Sequence, residues 1–326
     1  MNIRPSTFRN YIGQASTKKR LEIEIHAAKI KNQQFPHLLI GGPSGLGKTT
    51  LSKIIANEFG KTLVETTGPA IKNQKNLINR LKSLEPGGII LIDEMHKLNR
   101  DIQEYLLVVL EDFEIDEEVE IDGVKTLKKT KLQPFTMIGA STRVSEIDSA
   151  LRNRFERETL EPYNVAEICE IVRRYLINEG LDARDDAAII AIAQRSRSTP
   201  RLAISLARGI VAYALYNQTN FISWSLVDEY FSSVNKIDMH GLTEIDRRML
   251  SALLDGPLSL KRWASRVGEQ SSEIEEIYEP YYVRLDLVSL DSKGRAPTEK
   301  LFQLFNKPCP KWVPVSKSHV EVAELN

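Results

Sequence analysis

Eight residues, Gly42-Pro-Ser-Gly-Leu-Gly-Lys-Thr49, restrict the fold of this chain more than any other stretch. They match G-x-x-x-x-G-K-[ST], follow the apolar run Leu38-Leu-Ile-Gly41 and open a helical pattern. A strand ending in such a loop turns successive backbone N–H groups toward one point at the positive end of the next helix, where phosphate oxygens bind. Gly42, Gly45 and Gly47 keep side chains out of that approach. Lys48 is then expected to contact the β and γ phosphates of ATP, and the Thr49 hydroxyl to ligate Mg²⁺. The fold class this requires is α/β, with a P-loop ATPase domain built on a parallel sheet.

A second motif agrees with the first. Ile89-Ile-Leu-Ile92 reads as a buried parallel strand that ends in two carboxylates, Asp93 and Glu94. In such sheets ligand chemistry sits at the carboxyl ends of the strands. Asp93 is expected to hold Mg²⁺, directly or through water, and Glu94 to orient and polarise the attacking water. Asp93-Glu-Met-His96 also fits the D-E-x-H box of helicases with two motor halves, but nothing after residue 162 supplies a second half.

Composition narrows the setting. A length of 326 residues suggests two or three domains, and 42% hydrophobic with 27% charged residues argues against a disordered chain or a membrane bundle. Lys+Arg and Asp+Glu both total 44, which excludes a protein that coats nucleic acid by bulk charge. Cys169 and Cys309 have no Cys or His at metal-ligand spacing and read as reduced thiols. The five histidines are scattered singly, and none is assigned a metal. No secretory signal is evident, so a cytosolic location and no membrane partner are expected.

Apolar runs predict strands over residues 37–41, 62–66, 88–93, 135–140 and 158–160, alternating with helices over 17–31, 48–59, 75–84, 100–110 and 148–154. After Pro162 the strand signal stops, and Val165, Ile168, Ile171, Val172 and Tyr175 form one helical face. From Thr243 three short helical patterns, the run Leu287-Val-Ser-Leu and a glycine turn fit a winged helix-turn-helix. The expected domains are an ATPase domain over 1–162 with a charged hairpin at about 114–132, a helical lid over 163–237, a winged-helix DNA-binding domain over 238–310 and a loose tail over 311–326.

With these motifs in place, the sequence resembles the AAA+ ATPases and, within them, the RuvB family, motors that drive branch migration of four-way DNA junctions. The resemblance runs in order through Arg4-Pro5, Tyr11-Ile-Gly-Gln14, Gly45-Leu-Gly-Lys-Thr-Thr50, Asp93-Glu-Met-His-Lys-Leu98 and Glu111-Asp-Phe113. It continues through Phe135 to Arg143, Leu151-Arg-Asn-Arg-Phe155, Thr199-Pro-Arg201, Glu279-Pro280 and Gly294-Arg295. It implies that Thr142, with Ser141 second, is the sensor-1 residue that helps place the water. It implies that Arg154, with Arg152 as fallback, is the arginine finger reaching the neighbouring subunit's γ-phosphate; an ion-paired surface arginine is the alternative for each. Arg201 matches sensor 2. Arg4, Tyr11, Ile12, Thr50 and Tyr163 are implied around the nucleotide. The implied assembly is a homo-oligomer, a hexameric ring acting on double-stranded or four-way junction DNA in recombination and repair.

Two departures from the family pattern stand out. Residues 241–326 carry 12 basic and 13 acidic residues, so the expected DNA-binding domain is not basic as a whole, and DNA contact is expected only at its wing, through Arg295 and Lys293. Residues 111–122 hold eight acids and residues 125–131 four lysines, around the hairpin signal Asp122-Gly123. With that turn Glu120 faces Lys125 and Glu117 faces Lys128. In the family this hairpin is more apolar and docks the partner RuvA; here an altered partner or none is expected. Together with a gap between Arg154 and Tyr163 one residue short of the family's, these features imply a divergent relative, bacterial or encoded by a bacteriophage in an infected host. The alternatives are a clamp-loader or helicase-loader ATPase and a nucleotide-gated winged-helix regulator.

Overall fold

The structure, a computed structural model, describes residues 4–121, 124–291 and 294–313. They form two compact units: one runs to Asp182 and takes in Ser198–Arg208, the other joins Ala183–Arg197 to the chain from Gly209 onward. The expected helical segment 163–237 is therefore divided between the two.

The first unit is a five-stranded parallel sheet in the order β2-β3-β6-β1-β7, from β1 (Leu38–Gly41), β2 (Leu63–Thr67), β3 (Ile89–Asp93), β6 (Thr136–Ser141) and β7 (Glu156–Thr159). The connections are α1 (Ala15–Lys31), α2 (Lys48–Phe59), α3 (Gln74–Lys82), α4 (Arg100–Asp112) and α5 (Ser149–Arg152). All five sequence-predicted strands exist, within two residues of their expected bounds. Every residue of β1 and β6 is buried, as is β3 up to Asp93; β1 and the buried part of β3 read as unbroken apolar runs, and β6 carries Thr136 and Ser141 at its two ends. Edge strand β7 is exposed at Glu156, Arg157 and Thr159, which is why its pattern is faint.

Leu77, Ile78 and Leu81 of α3, Leu106, Val109 and Leu110 of α4 and Ile90 and Ile92 of β3 share one core. Each such side chain contributes roughly 1.5 to 3 kcal/mol on burial. His37 sits at the base of β1 with its ring 5.8 to 6.0 Å from those of Phe113, Phe135 and Phe155. Its Nδ1 accepts the Met137 N–H at 2.9 Å. Burial pushes its pKa down to about 4, so it is a neutral structural histidine.

Strands β4 (Glu114–Ile121) and β5 (Val124–Lys131) form the expected hairpin, and its register pairs Glu120 with Lys125 and Glu117 with Lys128. Its turn, Asp122-Gly123, lies outside the described residues. Four helices follow: α6 (Val165–Asn178), α7 (Asp186–Arg195), α8 (Pro200–Tyr216) and α9 (Trp224–Glu229). Asn164 and Glu167 form a capping box that starts α6.

The winged helix comprises α10 (Glu244–Ser251), α11 (Leu260–Val267), α12 (Ser271–Glu273), α13 (Glu279–Arg284), β8 (Val288–Asp291), β9 (Gly294–Pro297) and α14 (Glu299–Leu304). A wide helical turn, Ile274–Tyr278, joins α12 to α13. Trp263 is fully buried and donates its indole N–H to Met249 O at 2.9 Å. Strands β8 and β9 pair antiparallel as the wing, and Arg295 N and Leu258 N each donate to the other residue's carbonyl.

Candidate nucleotide site

Sheet order assembles the site. Strand β6 lies between β1 and β3, with Ser141 in register with Gly41 and Gly139 with Ile92. The carboxyl end of β6 therefore sits between the phosphate loop and the Asp93 strand. Thr49 Oγ1 donates to Asp93 Oδ2 at 2.8 Å, joining the first turn of α2 to the end of β3. A hydroxyl beside a carboxylate is a hard oxygen donor set suited to Mg²⁺.

Lys48 is folded onto the loop: its Nζ donates to Gly42 O at 2.6 Å and Pro43 O at 2.9 Å. Burial pushes this amine down to about 8, Asp93 opposes the drop, and Arg201 adds to it. Gly42, Gly45 and Gly47 all take positive φ, and a Cβ on Gly42 would stand 2.8 Å from Leu160 O. Thr50 lies in the first turn of α2, half-buried.

Glu94 adopts a left-handed conformation, φ 51°, that turns the chain out of β3. Its Oε1 accepts from Lys97 Nζ at 3.0 Å. Ser141, the second of the two sensor candidates, is buried; its hydroxyl lies 3.0 Å from His96 Nδ1 and accepts the Arg143 N–H. Thr142 follows it directly, half-buried. The tie between His96 and Ser141 was missed from sequence, although the D-E-x-H spacing already put a histidine three residues after Asp93.

Tyr11 and Tyr163, 152 residues apart, meet hydroxyl to hydroxyl at 3.1 Å. Burial raises the pKa of both. A Cβ on Gly47 would stand 3.1 Å from Tyr11 Oη, and one on Gly13 would strike the Tyr163 ring. The segment carrying Tyr11 and Ile12 is thus held against the phosphate loop. Arg4 is exposed ahead of it. On the other side Arg201 N donates to Gly45 O at 3.4 Å, and its guanidinium reaches Ser44 Oγ at 3.5 Å. Arg201, the residue that matches sensor 2 in the resemblance, thus lies beside the phosphate loop.

Arg154 lies away from these groups, 42% exposed and paired with Glu111 at 2.6 Å. Arg152 is half-buried, and its Nε has no hydrogen-bond partner among the described residues. Neither touches the phosphate loop of its own chain, which a finger acting on a neighbour requires.

The wing differs from expectation. Arg295 does not project from it; its Nε donates to Glu279 Oε2 at 2.5 Å and its Nη2 to Glu279 Oε1 at 3.2 Å, with Glu275 3.6 Å away. Glu279 is buried, so this guanidinium balances an interior carboxylate. The wing pattern showed the arginine; its partner 16 residues upstream carried no local signal. Lys293 lies outside the described residues.

No group of three or more potential metal-binding side chains exists among the described residues, and both cysteines are free. No helix among them is long and apolar enough to cross a membrane.

Comparison with known proteins places both domains in one family. Residues 3–160 match the family described as the Holliday junction DNA helicase RuvB P-loop domain, and residues 239–306 match the RuvB C-terminal winged helix domain. A Holliday junction branch migration complex subunit RuvB from Fervidobacterium nodosum is 37% identical over 307 residues, 93% of this chain and 88% of that protein. Its counterpart from Kosmotoga olearia is 38% identical over 320 residues, covering 95% and 93%. A solved structure of the Thermotoga maritima RuvB Holliday junction branch migration motor superposes with a TM-score of 0.85 at 35% identity, covering 94% of this chain and 99% of that one. From the phosphate loop to the wing, this chain belongs to the RuvB family.

Proposed function

We propose that this chain is the ATP-hydrolysing subunit of a ring that translocates double-stranded DNA and drives branch migration of four-way junctions. One observation carries the reading: a P-loop domain and a winged helix lie in one chain, and both match models of the same motor family. In this reading residues 1–162 are the motor, 163–237 the lid, 238–310 the DNA-binding winged helix and 311–326 the tail.

The loop N–H groups and Lys48 hold the triphosphate. Arg4, Tyr11, Ile12, Thr50 and Tyr163 surround the nucleotide, and Arg201 senses its state from the lid. Lys97 engages Oε1 of Glu94, leaving Oε2 to orient and polarise the attacking water. Thr142, backed by Ser141, helps place that water. Thr49 and Asp93 would hold Mg²⁺, which when bound would supply positive charge to offset the charge that develops on the phosphates. Arg154, with Arg152 as fallback, reaches the γ-phosphate of the next subunit in a hexamer. Arg295 acts as a positioning residue that ties the wing to α13, and Lys293 meets the DNA backbone. The charge-segregated hairpin suits a junction-binding partner of complementary charge in place of an apolar dock, or no such partner, in a bacterial cytosol or that of an infected host.

The test is ATP-dependent dissociation of a synthetic four-way junction, with and without a junction-binding partner. The wild-type chain is expected to dissociate it and Glu94→Gln to fail. No dissociation in either condition would favour a loader acting on another ring. Sequence-specific duplex binding with negligible DNA-stimulated hydrolysis would favour a nucleotide-gated regulator.

A further inference from the structure

Helix α3 and the loop before it carry charge of one sign. Residues 68–84 include Lys72, Lys75, Arg80 and Lys82 and no acid. Leu77, Ile78 and Leu81 turn into the core, so Asn76, Asn79 and Arg80, at i, i+3 and i+4, share the opposite face. With Ala70 and Lys72 they line a cleft of about 430 Å³. Elsewhere in this unit Arg20, Lys53, Lys97, Arg100, Arg143 and Arg154 each hold a carboxylate. Among the described residues, Lys72, Lys75 and Arg80 at this cleft have no carboxylate partner.

The position of the cleft matters as much as its charge. Strand β2 runs in register with β3 up to the pair Thr67 and Asp93. The next residue, Gly68, is seated on the turn that carries Glu94: a Cβ there would stand 2.5 Å from Glu94 O and 3.2 Å from Leu98 N. No side chain fits between them, so the loop leading to Lys72 bears directly on the hydrolytic turn.

We propose that this cleft grips the sugar-phosphate backbone of the duplex that the motor handles, a DNA contact made by the ATPase unit itself. Lys72 and Arg80 pair with phosphates, and the Asn76 and Asn79 amides donate to phosphate oxygens, which positions a duplex without reading its sequence. Through Gly68 the grip touches the backbone of Glu94, which gives DNA engagement a short path to hydrolysis. The assignment rests on the motor reading above.

The experiment measures binding of a fluorescent duplex to the full chain, with a non-hydrolysable ATP analogue, across a salt series. Phosphate contacts release counterions, and each contributes about 0.9 to the slope of log affinity against log salt. Losing two contacts per engaged subunit in Lys72→Gln/Arg80→Gln should weaken binding at low salt. It should also shrink the affinity loss between about 50 and about 200 mM salt by roughly tenfold for each subunit engaged. The charge-conserving pair Lys72→Arg/Arg80→Lys should keep the wild-type slope, and an unchanged unfolding midpoint in both variants excludes misfolding as the cause. Wild-type binding with an unaltered slope in the glutamine variant overturns the cleft and leaves the motor reading intact. A wild-type chain that binds no duplex overturns the motor reading, and the cleft with it.

Discussion

Thr49 Oγ1, in the first turn of α2, donates to Asp93 Oδ2, at the end of β3, at 2.8 Å. This contact brings the start of α2 and the end of β3 to the same point. Asp93→Asn should keep the hydrogen bond, because an amide oxygen still accepts, while removing the negative charge needed to hold a divalent cation. Hydrolysis should fall by about 10² to 10³, the scale for removing one charge-stabilising group. The check is steady-state ATPase activity against Mg²⁺ concentration; wild-type turnover at any Mg²⁺ level would detach Asp93 from the metal.

Lys48 offers a pH signature. Burial pushes its amine down to about 8. A triphosphate adds negative charge beside it and raises that value, so nucleotide binding should take up a fraction of a proton above pH 8. Affinity should accordingly fall as the pH rises past about 8. Calorimetry in buffers of different ionisation enthalpy measures the uptake. Equal proton uptake in the wild type and in Lys48→Arg, whose guanidinium stays charged, would refute the assignment.

His37 makes the ATPase unit sensitive to acid. Its folded value of about 4 lies below the ordinary 6.5, so between these pH values the unfolded chain binds the extra proton. The stability it preserves above pH 6.5 is lost as pH falls toward 4, about 3 kcal/mol in all. Denaturant unfolding at a series of pH values should show a shallower decline in His37→Gln than in the wild type. Parallel profiles would contradict the account.

Arg295→Ala should act first on stability. It leaves buried Glu279 without its bidentate partner, at a cost of about 3 kcal/mol. Adding Glu279→Gln should recover part of that loss. Scanning calorimetry would show the lowered transition and its partial recovery. An unchanged transition together with weakened DNA binding would return Arg295 to the DNA surface.

The parts of the site carried by contiguous residues were legible in the sequence. The glycines of the loop, Lys48, Thr49 and the Asp93-Glu94 strand end depend on local spacing, and the apolar runs of β1, β3 and β6 predict burial on both faces. Contacts set by tertiary packing left no local trace. Tyr11 meets Tyr163 because the chain returns to the loop after 152 residues. His96 meets Ser141 because β6 is inserted beside β3. Arg295 was read as a wing arginine because its sequence neighbours are a turn, and the carboxylate that holds it belongs to α13. Charge also misled by being averaged: a total of 44 against 44 conceals residues 68–84, which carry four basic residues and no acid.

The central claim is a ring whose sites are shared between subunits, and mixed assemblies test it most directly. Arg154→Ala and Glu94→Gln subunits should each be nearly inactive alone, since a finger contributes about 10³ to 10⁵ in rate. At equal mixing about one quarter of the head-to-tail interfaces join an intact Glu94 to a neighbour's intact Arg154. ATP hydrolysis should therefore reappear in the mixture. Failure to recover hydrolysis at any mixing ratio, with both variants shown to assemble, would contradict the account.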